Sequence, residues 1–185
     1  MVLVGAACVL FCFLYTTLLA QHGMGDVLVL LFFGLVPVCL TYYVTMPPAS
    51  QTITAQVVWA SLACGLVIDT LLVVNNYRDY DQDRAVGKKT LIVRIGRERA
   101  EQLYGWLGNI ATYMMWGCLV LGDSSFVLML VCFACFVPYA LLHGATRVQM
   151  RRIGRGRELN KVLGMTARNM FVFGVTTAIV TLFIL

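Results

Sequence analysis

Six runs of nearly unbroken apolar residues alternate with short polar connections along the chain: Val2 to Ala20, Val27 to Thr45, Ile53 to Val74, Gln102 to Leu121, Phe126 to His143 and Met165 to Leu185. Each is close to the ~20 residues that a helix needs to cross the hydrocarbon core of a bilayer. Within lipid, a lone segment can satisfy its own backbone polar groups only as a helix. The pattern therefore predicts an all-α, polytopic transmembrane helix bundle with six spans. Deep inside these runs one ionisable side chain stands out, Asp69. Pro37, three residues after Gly34, and Pro138 are expected to kink the second and fifth spans, and Pro47 and Pro48 to end the second in a tight turn. Neither an internal repeat nor a low-complexity linker divides the chain, so 1–185 reads as a single domain.

Composition agrees with the bilayer as solvent. The chain is 60% hydrophobic and 12% charged, against about half and about a quarter in soluble domains. A soluble fold would need polar faces to cover these helices, and the chain has none to offer. The first run has no basic residue before it and no cleavage site leading to a soluble domain, so it reads as a span rather than a signal peptide. All 14 Lys and Arg lie in or beside two connections, seven in Arg78 to Arg99 and seven in Arg147 to Arg168. The connections "MPPASQT" and "GDSS" carry none, so the positive-inside rule puts the two basic loops in the cytoplasm. The seven cysteines fall within the apolar runs, where cysteine acts as a small hydrophobe, and Cys132 and Cys135 lack the second ligand pair a zinc site needs. His22 and His143 sit singly at span ends and read as interfacial.

The acidic residues break this economy in one place. "NNYRDYDQDRAVGKKTLIVRIG", Asn75 to Gly96, continues the third span out of its cytoplasmic end and packs three aspartates among five basic residues. If the helix continues, Asp69, Asn76, Asp79 or Tyr80, and Asp83 share one stripe, with Asn75, Asp79 and Asp83 in a strip beside it. Carboxylates this close need a neutralising cation. Mg²⁺ suits them, because it prefers oxygen ligands and is usually held by one or two carboxylates together with substrate phosphates. Lys88, Lys89 and Arg94 then stand ready for the remaining phosphate oxygens. For Arg97 and Arg99, setting the topology is an equally good explanation.

The same stretch resembles the second aspartate-rich motif of the UbiA-type intramembrane prenyltransferases, in the form NN-x-RD-x-x-x-D-x-x-x-GK-x-TL-x-VR-x-G used by the branch acting on 1,4-dihydroxy-2-naphthoate. It matches at Asn75, Asn76, Arg78, Asp79, Asp83, Gly87, Lys88, Thr90, Leu91, Val93, Arg94 and Gly96. "HGMGD" resembles that branch's G-x-G-[ED] segment at Gly23, Gly25 and Asp26. "ELNKVLGMTA" resembles its LN-x-x-L-x-x-TA element at Leu159, Asn160, Leu163, Thr166 and Ala167.

The resemblance implies a bacterial inner-membrane enzyme that transfers a polyprenyl group from polyprenyl diphosphate to 1,4-dihydroxy-2-naphthoate, in menaquinone biosynthesis. Asp79 and Asp83 would hold Mg²⁺, and Asn75, Asn76, Arg78, Lys88 and Arg94 would bind substrate. Asp26 would position or deprotonate the acceptor. No nucleic-acid partner is expected. The family has nine helices and a first aspartate-rich motif after the second helix. No such motif occurs here, so the six spans match helices four to nine and the chain reads as a C-terminal part. Three alternatives remain: a related enzyme using 4-hydroxybenzoate, a transporter or channel subunit, which would spread polar residues along a pore, and a noncatalytic remnant or assembly partner.

Overall fold

A computed structural model describes residues 5–6, 9–10, 23–120 and 125–184, with backbone alone at 119–120 and 183–184. The first expected span, Val2 to Ala20, falls almost wholly outside the described residues, as do His22 and most of "GDSS". Among the described residues every regular element is helical. α1 runs Gly25–Thr45, α2 Ala55–Arg78, α3 Tyr80–Ala85, α4 Leu91–Ile95, α5 Arg97–Val120, α6 Phe126–Ile153 and α7 Leu159–Ile184. α2 is the centre of the bundle, packing on α1, α5 and α7, and α6 closes the far side against α5 and α7.

Among the described residues four helices are long and apolar enough to cross a membrane: Gly25–Thr45, Ala55–Arg78, Phe126–Ile153 and Leu159–Leu182. This describes a multi-pass membrane protein with four shown spans, where the hydrophobic pattern had suggested six. α5 covers most of the expected span Gln102 to Leu121 but is not among these four. It is as long as α2, 24 residues, but Gly105, Gly108, Asn109 and Thr112 dilute its apolar content. Large apolar side chains such as Phe33, Trp106, Phe126, Leu141, Phe171 and Leu182 point outward, where lipid is their natural solvent.

The helices also outrun their apolar runs. α2 continues four residues past Val74, α6 reaches Ile153, and α7 starts at Leu159. Hydrophobicity marks only the lipid-facing part of a helix, and backbone hydrogen bonding carries it on. Thr54 and Ser125 cap α2 and α6 by accepting from the N–H of Val57 and Leu128, each satisfying one of the donors left free at a helix start.

α1 departs from a straight rod through a π turn, Leu30–Leu35, just ahead of Pro37. Proline lacks the N–H that would continue the ladder and crowds the preceding turn, and a π turn is one recognised way of absorbing such a break. Gly34 lies in that turn, directly against Gly65 of α2. A Cβ on Gly34 would come within 2.7 Å of Gly65 Cα and of the Ser61 carbonyl oxygen. Two backbones meet here with no side chain between them, as small residues permit in membrane bundles.

Two apolar clusters fill the interior. One joins Ala63, Val67, Ala111, Met115, Phe136, Tyr139 and Phe173. The other lies beneath the charged loops and joins Val73, Val74, Tyr77, Ile92, Ala100, Tyr104, Met150, Leu159 and Val162.

Candidate functional site

The charged loops gather at one end of the bundle, where α2 ends and α5 and α7 begin. Asp79 terminates α2 with φ −87° and ψ 3°. The helical period nevertheless survives: the Asp79 N–H donates to the Asn75 carbonyl at 3.1 Å, and the Asp83 N–H to the Asp79 carbonyl at 2.8 Å. Asn75, Asp79 and Asp83 therefore stay in line across the break.

Their side chains take different partners. Arg78 grips Asp79 through two bonds of 2.8 Å, donating also to Asn75 Oδ1 at 2.9 Å and to Asn160 Oδ1 of α7 at 3.2 Å. The "ELN" element of α7 is thereby joined to the aspartate motif 82 residues earlier. Asp83 turns inward instead. It accepts from Lys88 Nζ at 3.2 Å through Oδ1, while Oδ2 is buried with no partner. Asn76 is buried as well.

The loop that follows is built to bring Lys88 back over Asp83. Gly87 takes the left-handed φ of +75°, a conformation that costs other residues but not glycine. The Lys88 N–H then donates to the Asp83 carbonyl at 2.9 Å. Thr90 caps α4 through the Val93 N–H, and Gly96, at φ +83°, ends it.

The turn just before α1 meets this loop at Gly23, whose φ is +73° and whose missing Cβ would lie 2.6 Å from the Lys89 carbonyl oxygen and 3.3 Å from Arg94 Nε. This contact fixes Asp26 beside the loop. A small pocket lies between them, lined by Gly23, Gly25, Asp26, Leu72, Asn76, Lys88, Thr90 and Leu91. Asp26 is only 8% exposed, and its Oδ1 has no partner. Asp26, Asn76 and Lys88 thus share one pocket, Asp83 hangs from Lys88, Arg94 borders Gly23, and Asn75, Arg78 and Asp79 form an adjoining group.

Sequence reasoning missed two residues. Arg97, for which setting the topology was an equally good explanation, is a structural hub. Its guanidinium donates to the Tyr77 and Gly154 carbonyls at 3.1 and 2.6 Å and to Asp81 at 3.0 Å, and lies over the rings of Tyr77 and Tyr80. The signal lay in the aromatic spacing of Tyr77 and Tyr80, which a planar cation can stack upon. His143, expected at the interface, is 2% exposed. It stacks on Tyr104 with ring centres 4.4 Å apart, and its Nε2 pairs with the Tyr104 carbonyl at 3.0 Å. The space for it comes from Gly108, where any Cβ would strike the imidazole.

Among the described residues no three His, Cys, Asp or Glu side chains group into a self-sufficient metal site. The partnerless Asp83 Oδ2 is nonetheless a buried oxygen in want of a ligand. A hard cation that takes one or two carboxylates and completes its shell with water and phosphate fits Asp83 together with Asp79.

An apolar helical bundle with aspartates, lysine and arginine assembled at one end of its central helix defines a membrane-embedded protein with a cluster of mixed charge at one end. The UbiA prenyltransferase family profile matches residues 1–165, and the chain belongs to that family. It is similar to the protein named 1,4-dihydroxy-2-naphthoate octaprenyltransferase in three bacteria. It is 34% identical to the Mycobacterium tuberculosis protein over 96% of this chain and 58% of that one. With Mycobacterium leprae the identity is 33% over the same shares. With Escherichia coli it is 33% over 64% of this chain and 32% of the relative. The chain thus spans less than two thirds of the length of these relatives. No solved structure matches it. Proteins of this family are generally dependent on a divalent metal.

Proposed function

We propose that residues 1–185 form part of one transmembrane prenyltransferase domain. Its reaction is transfer of a polyprenyl group from polyprenyl diphosphate to 1,4-dihydroxy-2-naphthoate, with loss of diphosphate and CO₂, giving demethylmenaquinol, the hydroquinone form of demethylmenaquinone, on the way to menaquinone. The observation that carries this reading is the Asp83 carboxylate, buried with one free oxygen against Lys88 at the edge of a pocket that also holds Asp26. An anion site and a cation site that share one salt bridge call for a ligand carrying both. The relatives' name and the matched motif support the naphthoate as acceptor.

Asp79 and Asp83 would hold Mg²⁺, which when bound supplies Lewis-acid neutralisation of the diphosphate as the allylic C–O bond breaks. Lys88, Arg94 and Arg78 take up the charge that develops on the leaving diphosphate. Asn75 and Asn76 orient its oxygens through their amides. The apolar walls of the bundle keep water from the allylic cation. Asp26 holds the acceptor's hydroxyl and accepts its proton as the ring carbon attacks, and the acceptor then loses its carboxyl as CO₂.

The basic loops lie in the cytoplasm on this reading, with the chain in the bacterial inner membrane. A single cysteine placed at Arg155, in a background freed of the native cysteines, should react only with reagents reaching the cytoplasmic face; labelling from outside would reverse the orientation. The site itself is tested in the full-length enzyme. Lys88→Ala should raise the KM for polyprenyl diphosphate and lower kcat, together by about 10- to 1000-fold, with the KM for the naphthoate nearly unchanged. Equal loss of affinity for donor and acceptor would contradict the assignment of Lys88 to the diphosphate. Turnover of 4-hydroxybenzoate in place of the naphthoate would replace the acceptor.

A further inference from the structure

The "ELNKVLGMTA" element has no part in the reaction proposed above. Within it Asn160 sits in the first turn of α7, and its Oδ1 accepts from Arg78 Nη1 at 3.2 Å, across 82 positions of sequence. Such a contact exists only if α7 is firmly seated against α2. Leu159, the residue before, is fully buried in the cluster that holds Val73, Val74 and Tyr77 of α2, and the Asn160 N–H donates to the Arg157 carbonyl at 3.0 Å. Two turns further on, Thr166 is fully buried and pairs with the Tyr104 hydroxyl at 3.1 Å. The element as a whole thus brings Asn160 to a fixed place beside the end of α2.

What Asn160 holds there matters because Arg78 has little left to give. A guanidinium has five N–H donors. Nε and one Nη2 hydrogen go to Asp79, the other Nη2 hydrogen to Asn75, and one Nη1 hydrogen to Asn160. Among the described residues the second Nη1 hydrogen meets no acceptor. Asp79 and Asn75 lie on or beside the last turn of α2 and hold one edge of the planar group. Of these partners Asn160 alone comes from another helix, and it binds the nitrogen that carries the remaining donor. A contact at that corner fixes how the plane is turned, and with it where the last N–H points. An amide oxygen suits the task, since it accepts the bond without cancelling the positive charge as a second carboxylate would.

We infer that Asn160 is a positioning residue, which acts through Arg78 to aim its one remaining N–H at an oxygen of the donor's diphosphate. The inference rests on the proposed assignment of Arg78 to that diphosphate. Asn160 itself touches no substrate. The donor site is then built from two helices, with α2 supplying the charge and α7 its direction.

In the full-length enzyme Asn160→Ala should raise the KM for polyprenyl diphosphate about 3- to 10-fold, the worth of one partly solvated hydrogen bond. The KM for the naphthoate and the melting temperature should not change. Arg78→Ala should raise the donor KM further, and the double variant should be no worse than Arg78→Ala alone, because nothing is left for Asn160 to aim. If Arg78→Ala does not accumulate in the membrane, Arg78→Lys, which cannot span Asp79, Asn75 and Asn160 at once, takes its place in the cycle. Effects that add in the double variant would overturn the proposal. So would equal loss of affinity for donor and acceptor, or a lowered melting temperature with an unchanged donor KM, the marks of a purely structural link between α7 and α2. A normal donor KM in Asn160→Ala beside a raised one in Arg78→Ala removes the positioning role and leaves the diphosphate assignment standing. A normal donor KM in the Arg78 variant removes that assignment, and the positioning role with it.

Discussion

Asp83→Asn in the full-length enzyme is expected to lower turnover by at least about 100-fold and to raise the magnesium concentration needed for half-maximal activity. The magnitude is that of one well-placed electrostatic contact, about 3 kcal/mol of transition-state stabilisation. The reasoning is local. The Asp83 Oδ1 atom accepts from Lys88, and Oδ2 is buried and open. An amide would be isosteric but uncharged, offering one carbonyl oxygen where the carboxylate has two. Asp79→Asn should cost as much for a second reason, since it also releases Arg78 from the grip that orients it toward Asn75 and Asn160. Steady-state rates over a magnesium titration, at matched membrane expression, measure both. Wild-type activity in Asp83→Asn at limiting magnesium would return this residue to a structural salt bridge with Lys88.

Arg97→Ala should strike stability rather than chemistry. The guanidinium joins the end of α2, the C-terminus of α6 and the short helix α3, and is stacked over two tyrosine rings. Removing it leaves the carbonyls of Tyr77 and Gly154 without this donor and strips both rings of their cation. Losing hydrogen bonds from a charged donor to two carbonyls costs about 1.5–3 kcal/mol each, so the melting temperature of the purified enzyme should fall by roughly 5–10 °C. Arg97→Lys should recover only part of this, because an ammonium cannot span three acceptors in one plane. A melting temperature within about 1 °C of the wild type would show that the hub contributes little.

Much of the bundle was legible because period and solvent spoke together. Second, third, fifth and sixth apolar runs reappear as α1, α2, α6 and α7, since long uncharged runs in lipid have no other stable form. Their ends were misjudged by up to ten residues, as at Ile153 against the expected His143, because polar residues can prolong a helix that hydrophobicity no longer marks. The expected kink at Pro37 takes the form of a π turn, while the close approach of Gly34 to Gly65 beside it is a tertiary effect that no local pattern encodes. In the site, the alignment of Asn75, Asp79 and Asp83 follows directly from a spacing of four. Their division, with Asp79 turned to Arg78 and Asp83 to Lys88, depends on which cation the following loop delivers. Arg97 and His143 were undervalued for one reason: each owes its place to a partner distant in sequence, Gly154 for one and Gly108 for the other.

Arg97 has a thermodynamic consequence beyond the contacts it makes. Its bond to the Tyr77 carbonyl spans 20 residues and fastens together the two ends of the segment that carries Asp79, Asp83, Lys88 and Arg94. A segment tied at both ends has already lost its loop-closure entropy. A ligand arriving there has only side chains to immobilise, which leaves more of its interaction energy for affinity. The clamp therefore sets how tightly this site can hold a ligand that never touches it.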